Sequence, residues 1–319
     1  MLFEKQIVGT YKEMMYSRCD DTETVFYFSS DDFDGIKREE YPFKASAGHT
    51  LQGYIYSTDA AIEGRLVVFD HGFGGGHRAY MKEISLICCH GYTVFAYDHT
   101  GCMESGGESP NGLAQSLSDL NDCICAIKSD ERFKDVKLSV MGHSWGAFST
   151  LNIAALHPEI THIVAISGFV SVEEMVKTFF SGLLKGYRSA VMKLERETNP
   201  RFCEFNAVDS LLHSDVNALL VYSANDPMCK RHHFDILKKG LEEKENVSFL
   251  LLENKGHNPN YSDDALKLLD SFTKARAKLL KKKTLTKEQK EAFVESFDWV
   301  KMTEQDNEVW AIIFDHLAS

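Results

Sequence analysis

The stretch "VMGHSWGAFS", residues 140–149, places Ser144 between two glycines with the spacing G-x-S-x-G. It follows an apolar, β-branched run and precedes a helical pattern, so the chain must turn from strand to helix within a few residues. Such a turn strains its central residue and requires small neighbours, which Gly142 and Gly146 provide. It also lifts the hydroxyl to a helix N-terminus, where negative charge is stabilised. Ser144 is therefore predicted to be a nucleophile.

A serine nucleophile needs a base and a group that orients the base. His257 in "NKGHNPN" follows the last apolar run, and Asp226 in "SANDPM" follows the run before it. Each of the three residues thus lies after a different strand, in the chain order Ser, Asp, His. Five other side chains are disfavoured as members of this set. His143 is expected to point away from Ser144, His71 to shape its own loop and Asp98 to lie far from His257. Asp209 and Asp215 precede a strand, which places them at the opposite end of the sheet.

Acyl transfer also needs hydrogen-bond donors for the oxyanion of the tetrahedral intermediate. The main-chain N–H of Trp145 follows the nucleophile directly. A second donor is expected from "HGFGGG", residues 71–76, where the glycines let the main chain approach a substrate and Phe73 offers its N–H. The alternative is a phosphate-binding glycine loop. This loop lacks both the Lys-Ser/Thr ending and the G-x-G-x-x-G spacing of such sites.

Short apolar runs alternate with helical patterns from residue 66 onward. The runs are apolar on both faces, which is typical of buried parallel strands. They span residues 66–69, 93–97, 137–141, 162–167, 218–223 and 247–253. This alternation predicts an α/β fold, with a mostly parallel sheet and helices on both of its faces. Residues 43–57 are predicted to form a hairpin that adds antiparallel strands at one edge.

Residues 170–208 interrupt this alternation between the fourth and fifth runs and show a helical pattern. Their apolar side chains recur at i, i+3 and i+4 and form one stripe, which Gly182 and Gly186 interrupt, so two helices are indicated. The aromatic side chains of the stripe are predicted to contact the substrate, with plain packing against the core as the alternative. These residues are Phe179, Phe180 and Tyr187.

Three segments are expected along the chain. Residues 1–42 form an N-terminal extension, residues 43–283 form the domain that contains the 170–208 insertion, and residues 284–319 form a C-terminal helical appendage. In the appendage, Thr303 is predicted to start an apolar helix.

Composition narrows the class of protein. A formal charge of −12 disfavours binding to nucleic acid, and 44% hydrophobic residues are typical of a globular protein. No apolar stretch approaches the roughly 20 residues of a membrane span, and no signal peptide is recognised, so a cytoplasmic protein is expected. The eight cysteines show no C-x-x-C spacing and are predicted to be reduced. We predict neither a metal nor another cofactor.

Taken together, the motifs "HGFGGG", "GHSWG", "ANDPM" and "GH" resemble, in this order, those of an α/β-hydrolase-fold serine hydrolase. The resemblance is to the lipase/esterase and serine-aminopeptidase-like branch and covers residues 43–275. The loop "DHTGCMESGG" is also similar to a loop of that branch, at Asp98, Gly101, Ser105 and Gly107. The resemblance implies a helical lid inserted between the sixth and seventh strands, where residues 170–208 fall.

The predicted function is hydrolysis of a carboxylic ester of small to medium size through an acyl-enzyme, with a small acyl compound as the partner. An aminopeptidase-like amide hydrolase is the alternative, because acidic residues of the insertion could hold an amine: Glu173, Glu174, Glu195 or Glu204. A catalytically idle binding module is a third possibility, which the complete set of Ser, Asp and His disfavours. Acyl specificity and oligomeric state stay open.

Overall fold

The computed structural model describes residues 3–20, 23–282 and 284–319. The strands in these ranges are β1 Lys37–Glu40, β2 Phe43–Lys44, β3 Thr50–Leu51, β4 Gly53–Ser57, β5 Arg65–Asp70, β6 Thr93–Tyr97, β7 Lys137–His143, β8 His162–Ile166, β9 Asn217–Ser223 and β10 Val247–Leu252. Within the described chain, eight of them form one sheet in the order β1-β4-β6-β5-β7-β8-β9-β10. β4 runs antiparallel to β1 and β6, and the remaining neighbours are parallel.

Helices connect most of the strands. They are α1 Glu4–Met15, α2 Met81–Cys89, α3 Gln115–Lys128, α4 Trp145–Ile153, α5 Val172–Phe179, α6 Arg188–Thr198, α7 Ala207–Leu212, α8 Arg231–Leu241, α9 Asp263–Leu279, α10 Lys287–Glu295, α11 Trp299–Met302 and α12 Asn307–Ala318. Among the described residues, no helix combines the length and the apolar character that crossing a bilayer requires.

The predicted parallel sheet is confirmed: each of the six runs identified from residue 66 onward is a strand, from β5 to β10. Successive side chains of these strands enter opposite layers of the core, as the pleat requires. In β7, for example, Val140 belongs to the core layer that contains side chains of α3 and α4, and Met141 belongs to the layer that contains side chains of α2 and α12. β6 and β7 lie on either side of β5, so their crossovers leave in opposite directions. The carboxyl ends of β5 and β7 therefore border the crevice in which open α/β sheets bind ligands.

The antiparallel edge differs in detail from the predicted hairpin. β2 and β3 form a separate two-stranded sheet, whereas β4 enters the main sheet and β1 pairs with it as the outermost strand. Residues 37–40, which were predicted to belong to the N-terminal extension, have the sequence "KREE" without apolar alternation and form β1. All four side chains are exposed, and such a charged edge strand resists pairing with other chains.

The C-terminal segment also differs from the predicted appendage, because α12 covers one face of the sheet. Its buried side chains pack among those of β7, β8 and β9: Val309, Trp310, Ile313 and Leu317. The helix starts at Asn307 rather than at the predicted Thr303, because the Asp306 carboxylate caps the N–H groups of Glu308 and Val309. The last 13 residues thus belong to the core of the fold.

Trp310→Ala is expected to lower the free energy of unfolding by about 3–5 kcal/mol, because it leaves a cavity against the sheet. Trp310 is 2% exposed, whereas Ile312 on the same helix is 41% exposed. Ile312→Ala is therefore the matched control, with an expected loss below about 1 kcal/mol. Denaturant unfolding of both variants measures the difference. Equal losses would show that α12 does not support the sheet.

The 170–208 insertion falls between β8 and β9, which are the sixth and seventh strands of the main sheet in chain order. The predicted break is present: α5 ends at Phe179, a short 3-10 helix spans Gly182–Tyr187, and α6 follows. Val172 and Val176 are buried in the core, but Leu183 at the tip is fully exposed. A covering role for the insertion stays a prediction.

The N-terminal helix α1 provides a partner for the insertion that the sequence did not reveal. The hydroxyls of Tyr11 and Tyr16 donate to Glu195 Oε1 of α6 at 2.7 and 3.0 Å. The main-chain N–H of Leu113 donates to the other carboxylate oxygen at 2.9 Å. The ring of Tyr11 also packs edge-on against Phe180, with centroids 5.8 Å apart. The extension is thus part of the packed structure.

Candidate active site

The turn at Ser144 has the strained geometry that its motif predicts. Ser144 lies between β7 and α4 with φ 56° and ψ −110°. A Cβ atom on Gly142 would overlap the Gly146 carbonyl and the Thr150 hydroxyl, and one on Gly146 would overlap the carbonyl of Asp70. Both glycines are therefore required by close main-chain approach. The main-chain N–H of Ser144 donates to the carbonyl of Ile166 in β8, which anchors the turn at 2.8 Å.

The structure brings the three predicted reactive side chains together. The Oγ of Ser144 lies 2.9 Å from His257 Nε2, and His257 Nδ1 lies 2.8 Å from Asp226 Oδ2. The His257 side chain is 20% exposed, whereas that of Asp226 is fully buried. One imidazole therefore connects an accessible hydroxyl to a buried carboxylate, which is the arrangement that activates a serine.

Main-chain donors and two further side chains fix the Asp226 and His257 loops. Asp226 Oδ1 accepts the N–H groups of Met228 and Cys229 at 2.7 and 3.0 Å. The hydroxyl of Ser223 donates to Asn225 Oδ1, which also accepts the Gly256 N–H, both at 2.8 Å. The loops after β9 and β10 are therefore tied together beside the imidazole. Sequence reasoning did not identify Ser223 or Asn225, because small polar residues after a strand are common in any loop.

Of the two predicted oxyanion donors, Phe73 lies in the loop after β5 and Trp145 lies at the start of α4. Trp145 is the first residue of α4, so its N–H has no acceptor within the helix. The ring of Phe73 packs edge-on against that of Trp145, with centroids 5.1 Å apart. The Trp145 indole N–H donates to the Leu113 carbonyl at 2.7 Å, which fixes the residue after the nucleophile.

His71 holds the shape of the oxyanion loop, which we define as residues 71–76. Its Nδ1–H donates to the Gly72 carbonyl at 2.7 Å, and its Nε2 accepts the N–H of His99 at 2.9 Å. Burial, together with the charge of His99, lowers the pKa of His71 to about 3, so the ring stays neutral. His71 is thus a structural residue and not a base, in agreement with its sequence assignment.

A buried imidazolium lies beneath this loop. His99 Nε2 is 2.8 Å from Asp70 Oδ1, and its Nδ1 is 3.2 Å from Asp119 Oδ2, with all three side chains fully buried. Burial alone would lower the pKa of His99. The two carboxylates outweigh burial and raise this pKa to about 9, so His99 carries a positive charge at neutral pH. Sequence reasoning did not identify this cluster, because its members come from three separate elements.

The raised pKa of His99 predicts that its contribution to stability falls as the pH increases. The folded chain keeps a proton on this ring that the unfolded chain releases above a pH of about 6.5. The contribution is therefore complete below about pH 6.5 and is lost as the pH rises through about 9. Buried neutral rings with lowered pKa values, such as His71 and His233, change the free energy of unfolding in the opposite direction, so the ring itself must be titrated. We expect NMR of the His99 ring protons to give a pKa above about 8, and a value below about 6.5 would contradict the charged His99.

One group of side chains has the composition of a metal site. Asp226, Cys229 and His257 each place a possible ligand atom within 4.8 Å of the others. Burial, with the nearby Asp226 carboxylate, raises the pKa of the Cys229 thiol, and this disfavours the thiolate that would bind a metal. Asp226 and His257 already share a hydrogen bond, so the site is better described as an acid and a base beside a buried thiol.

The residues predicted to contact substrate lie in mixed surroundings. Phe180 is 6% exposed and packs on Tyr11, whereas Phe179 and Tyr187 are half-buried. Phe179 and Phe180 line an apolar groove of about 340 Å³ between α1 and the insertion. Contact of these three side chains with a substrate stays a prediction.

The sheet order, the strained serine turn and the three loops at the carboxyl edge define the chain as an α/β hydrolase. The sequence of residues 63–236, more than half of the chain, matches the family described as serine aminopeptidase, S33. The chain therefore belongs to this family. The matched range contains Ser144 and Asp226 and ends before His257.

Several solved structures have a similar fold. The esterase Pf2001 of Pyrococcus furiosus aligns with a TM-score of 0.59 and 17% identity, covering 88% of this chain and 99% of the esterase. For an acylaminoacyl peptidase of Pyrococcus horikoshii the TM-score is 0.57 at 13% identity, covering 82% of this chain and 45% of the peptidase. For the α/β hydrolase GrgF of Penicillium sp. sh18 the values are 0.53 and 18%, with coverages of 77% and 98%. No curated protein sequence matches the chain.

Proposed function

We propose that this chain is a serine hydrolase that cleaves carboxylic esters of small to medium size through an acyl-enzyme. The continuous contact from the Ser144 hydroxyl through His257 to Asp226, with distances of 2.9 and 2.8 Å, is the observation that supports this most strongly. The fold likeness to the Pyrococcus furiosus esterase is compatible with it. The complete set of reactive groups disfavours a role as an idle binding module.

In the proposed reaction, His257 Nε2 takes the proton from Ser144 as Oγ attacks the acyl carbonyl. The N–H groups of Phe73 and Trp145 stabilise the oxyanion. Asp226 stabilises the imidazolium, which then gives its proton to the leaving alcohol oxygen. Water, activated by the same imidazole, hydrolyses the acyl-enzyme and restores the serine. These steps require no cofactor.

The alternative, removal of N-terminal residues from peptides, requires a carboxylate to hold the substrate ammonium. The four acidic candidates of the insertion already have partners. Glu173 and Glu174 pair with Lys177, and Glu204 pairs with Arg196. Glu195 is buried and bound by the two tyrosines of α1. These pairings favour the ester, although the family description keeps amide cleavage as the second candidate.

A matched substrate panel separates the two candidates. Each acyl group, from acetyl to palmitoyl, is offered as a p-nitrophenyl ester and as a p-nitroanilide, and free-amine aminoacyl anilides are included. We expect kcat/KM for the esters to be highest with short and medium acyl chains, and we expect no turnover of the free-amine aminoacyl anilides above that of Ser144→Ala. The Ser144→Ala variant, prepared in parallel, corrects for contaminating hydrolases. Turnover of free-amine aminoacyl anilides that depends on Ser144 and exceeds that of the acyl anilides would establish the peptidase alternative instead.

A further inference from the structure

His143 lies next to the nucleophile, but its ring contacts two other loops. Tyr80 Oη is 2.8 Å from His143 Nδ1, and His143 Nε2 is 2.8 Å from the main-chain carbonyl of His257. The Gly72 N–H donates to the same Tyr80 oxygen at 3.1 Å. A continuous path of hydrogen bonds therefore runs from the oxyanion loop, through Tyr80 and His143, to the main chain of the base.

The direction of each hydrogen bond in this path follows from chemistry alone. A carbonyl oxygen only accepts, so the proton of His143 is on Nε2. In a neutral imidazole the other nitrogen then accepts, so Tyr80 donates its hydroxyl proton to Nδ1. The Tyr80 oxygen is thereby left to accept the Gly72 N–H. Each of the four groups can therefore be satisfied by one proton arrangement, provided that His143 stays neutral.

The surroundings keep His143 neutral. It is 6% exposed, and its ring centroid is 4.8 Å from that of His257. Burial, together with the charge that His257 acquires when protonated, lowers the pKa of His143 to about 3. The ring thus keeps its Nε2 proton during a reaction in which its neighbour becomes an imidazolium. Two adjacent positive rings are avoided.

We propose that Tyr80 and His143 are positioning residues that hold the oxyanion loop and the main chain of His257 in register across the serine turn. This inference rests on the proposed function, because it assigns the pair to the same hydrolytic site. Gly72 precedes the proposed donor Phe73, and a Cβ atom on Gly72 would overlap the Tyr80 hydroxyl. This path of hydrogen bonds therefore sets the separation between the oxyanion donor and the base. A displacement of about 1 Å at such a site costs up to about 100-fold in rate.

Tyr80→Phe is the first test, because it keeps the ring and removes only the hydroxyl. We expect kcat for a p-nitrophenyl ester to fall by about 10- to 100-fold, with KM changed less than about twofold. Tyr56→Phe is the matched control, since the Tyr56 hydroxyl makes a buried hydrogen bond to His77 Nε2 at 2.9 Å. The control is expected to lower Tm by a similar amount and to keep the wild-type kcat.

Two substitutions of His143 complete the test. The side-chain amide of His143→Gln can still donate to the His257 carbonyl, whereas His143→Leu cannot, so the Gln variant should keep the higher kcat. Tyr80→Phe added to His143→Leu should cause little further loss, because both act through one path. Wild-type kcat in Tyr80→Phe, or additive losses in the double variant, would overturn the positioning role. Ser144→Ala distinguishes this result from failure of the proposed function. Substantial residual turnover in Ser144→Ala would show that the proposed function is wrong, whatever the result for Tyr80 and His143.

Discussion

Ser144→Ala is expected to lower kcat for a p-nitrophenyl ester by about four to six orders of magnitude while the chain stays folded. The Ser144 Oγ lies 2.9 Å from His257 Nε2, which takes its proton, and alanine has no oxygen that could attack the acyl carbonyl instead. The fold should tolerate the change, because alanine is no larger than serine in a turn whose flanking positions are glycines. Steady-state kinetics and thermal unfolding of the same preparation measure both parts of the prediction.

Ser181→Ala provides the matched control for this variant. Ser181 is an exposed serine at the start of the 3-10 helix in the insertion. We expect the control to keep wild-type turnover. More than about 1% of the wild-type kcat in a clean preparation of Ser144→Ala would contradict the assignment of the nucleophile.

Asp226→Asn is expected to lower kcat by about 10⁴-fold without unfolding the chain. The N–H groups of Met228 and Cys229 require an acceptor, so the amide oxygen takes the Oδ1 position. The NH₂ group then faces His257 Nδ1, which is forced to accept. The imidazole consequently carries its proton on Nε2, toward Ser144, and cannot act as a base.

Asp98→Asn is the control for the choice of acid. The Asp98 carboxylate accepts from the His77 ring at 2.8 Å and from main-chain N–H groups, and it is not bonded to His257. Its kcat should therefore exceed that of Asp226→Asn by several orders of magnitude, whatever the change in Tm. An inactive Asp98→Asn together with a near-normal Asp226→Asn would show that Asp226 is not the acid that orients His257.

The central part of the fold was predictable because it depends on local signals. Strands such as Thr93–Tyr97 are apolar on both faces, and G-x-S-x-G between a strand and a helix specifies a turn that few sequences require. Once Asp226 and His257 follow successive parallel strands, the sheet itself places them at one edge.

The features that sequence reasoning missed are set by tertiary contacts. α9 and α12 both have apolar positions at helical spacing, but only the packing shows that Trp310 and Ile313 of α12 cover the sheet. Glu195 was considered as an amine ligand, because nothing local indicates that two tyrosines from residues 11–16 bury it. The charged strand Lys37–Glu40 has no apolar residues that would indicate a strand, because it lies at the edge of the sheet and all four of its side chains are exposed.

The most direct measurement is to locate the covalent adduct formed with a fluorophosphonate probe. Such a probe reacts with a serine only where a base activates it and an oxyanion site receives the phosphoryl oxygen. Tandem mass spectrometry of the digested chain is expected to find one stoichiometric adduct on Ser144, and no adduct after the same treatment of Asp226→Asn within the same time. An unlabelled wild-type chain, or an adduct on another serine, would contradict the proposed active site.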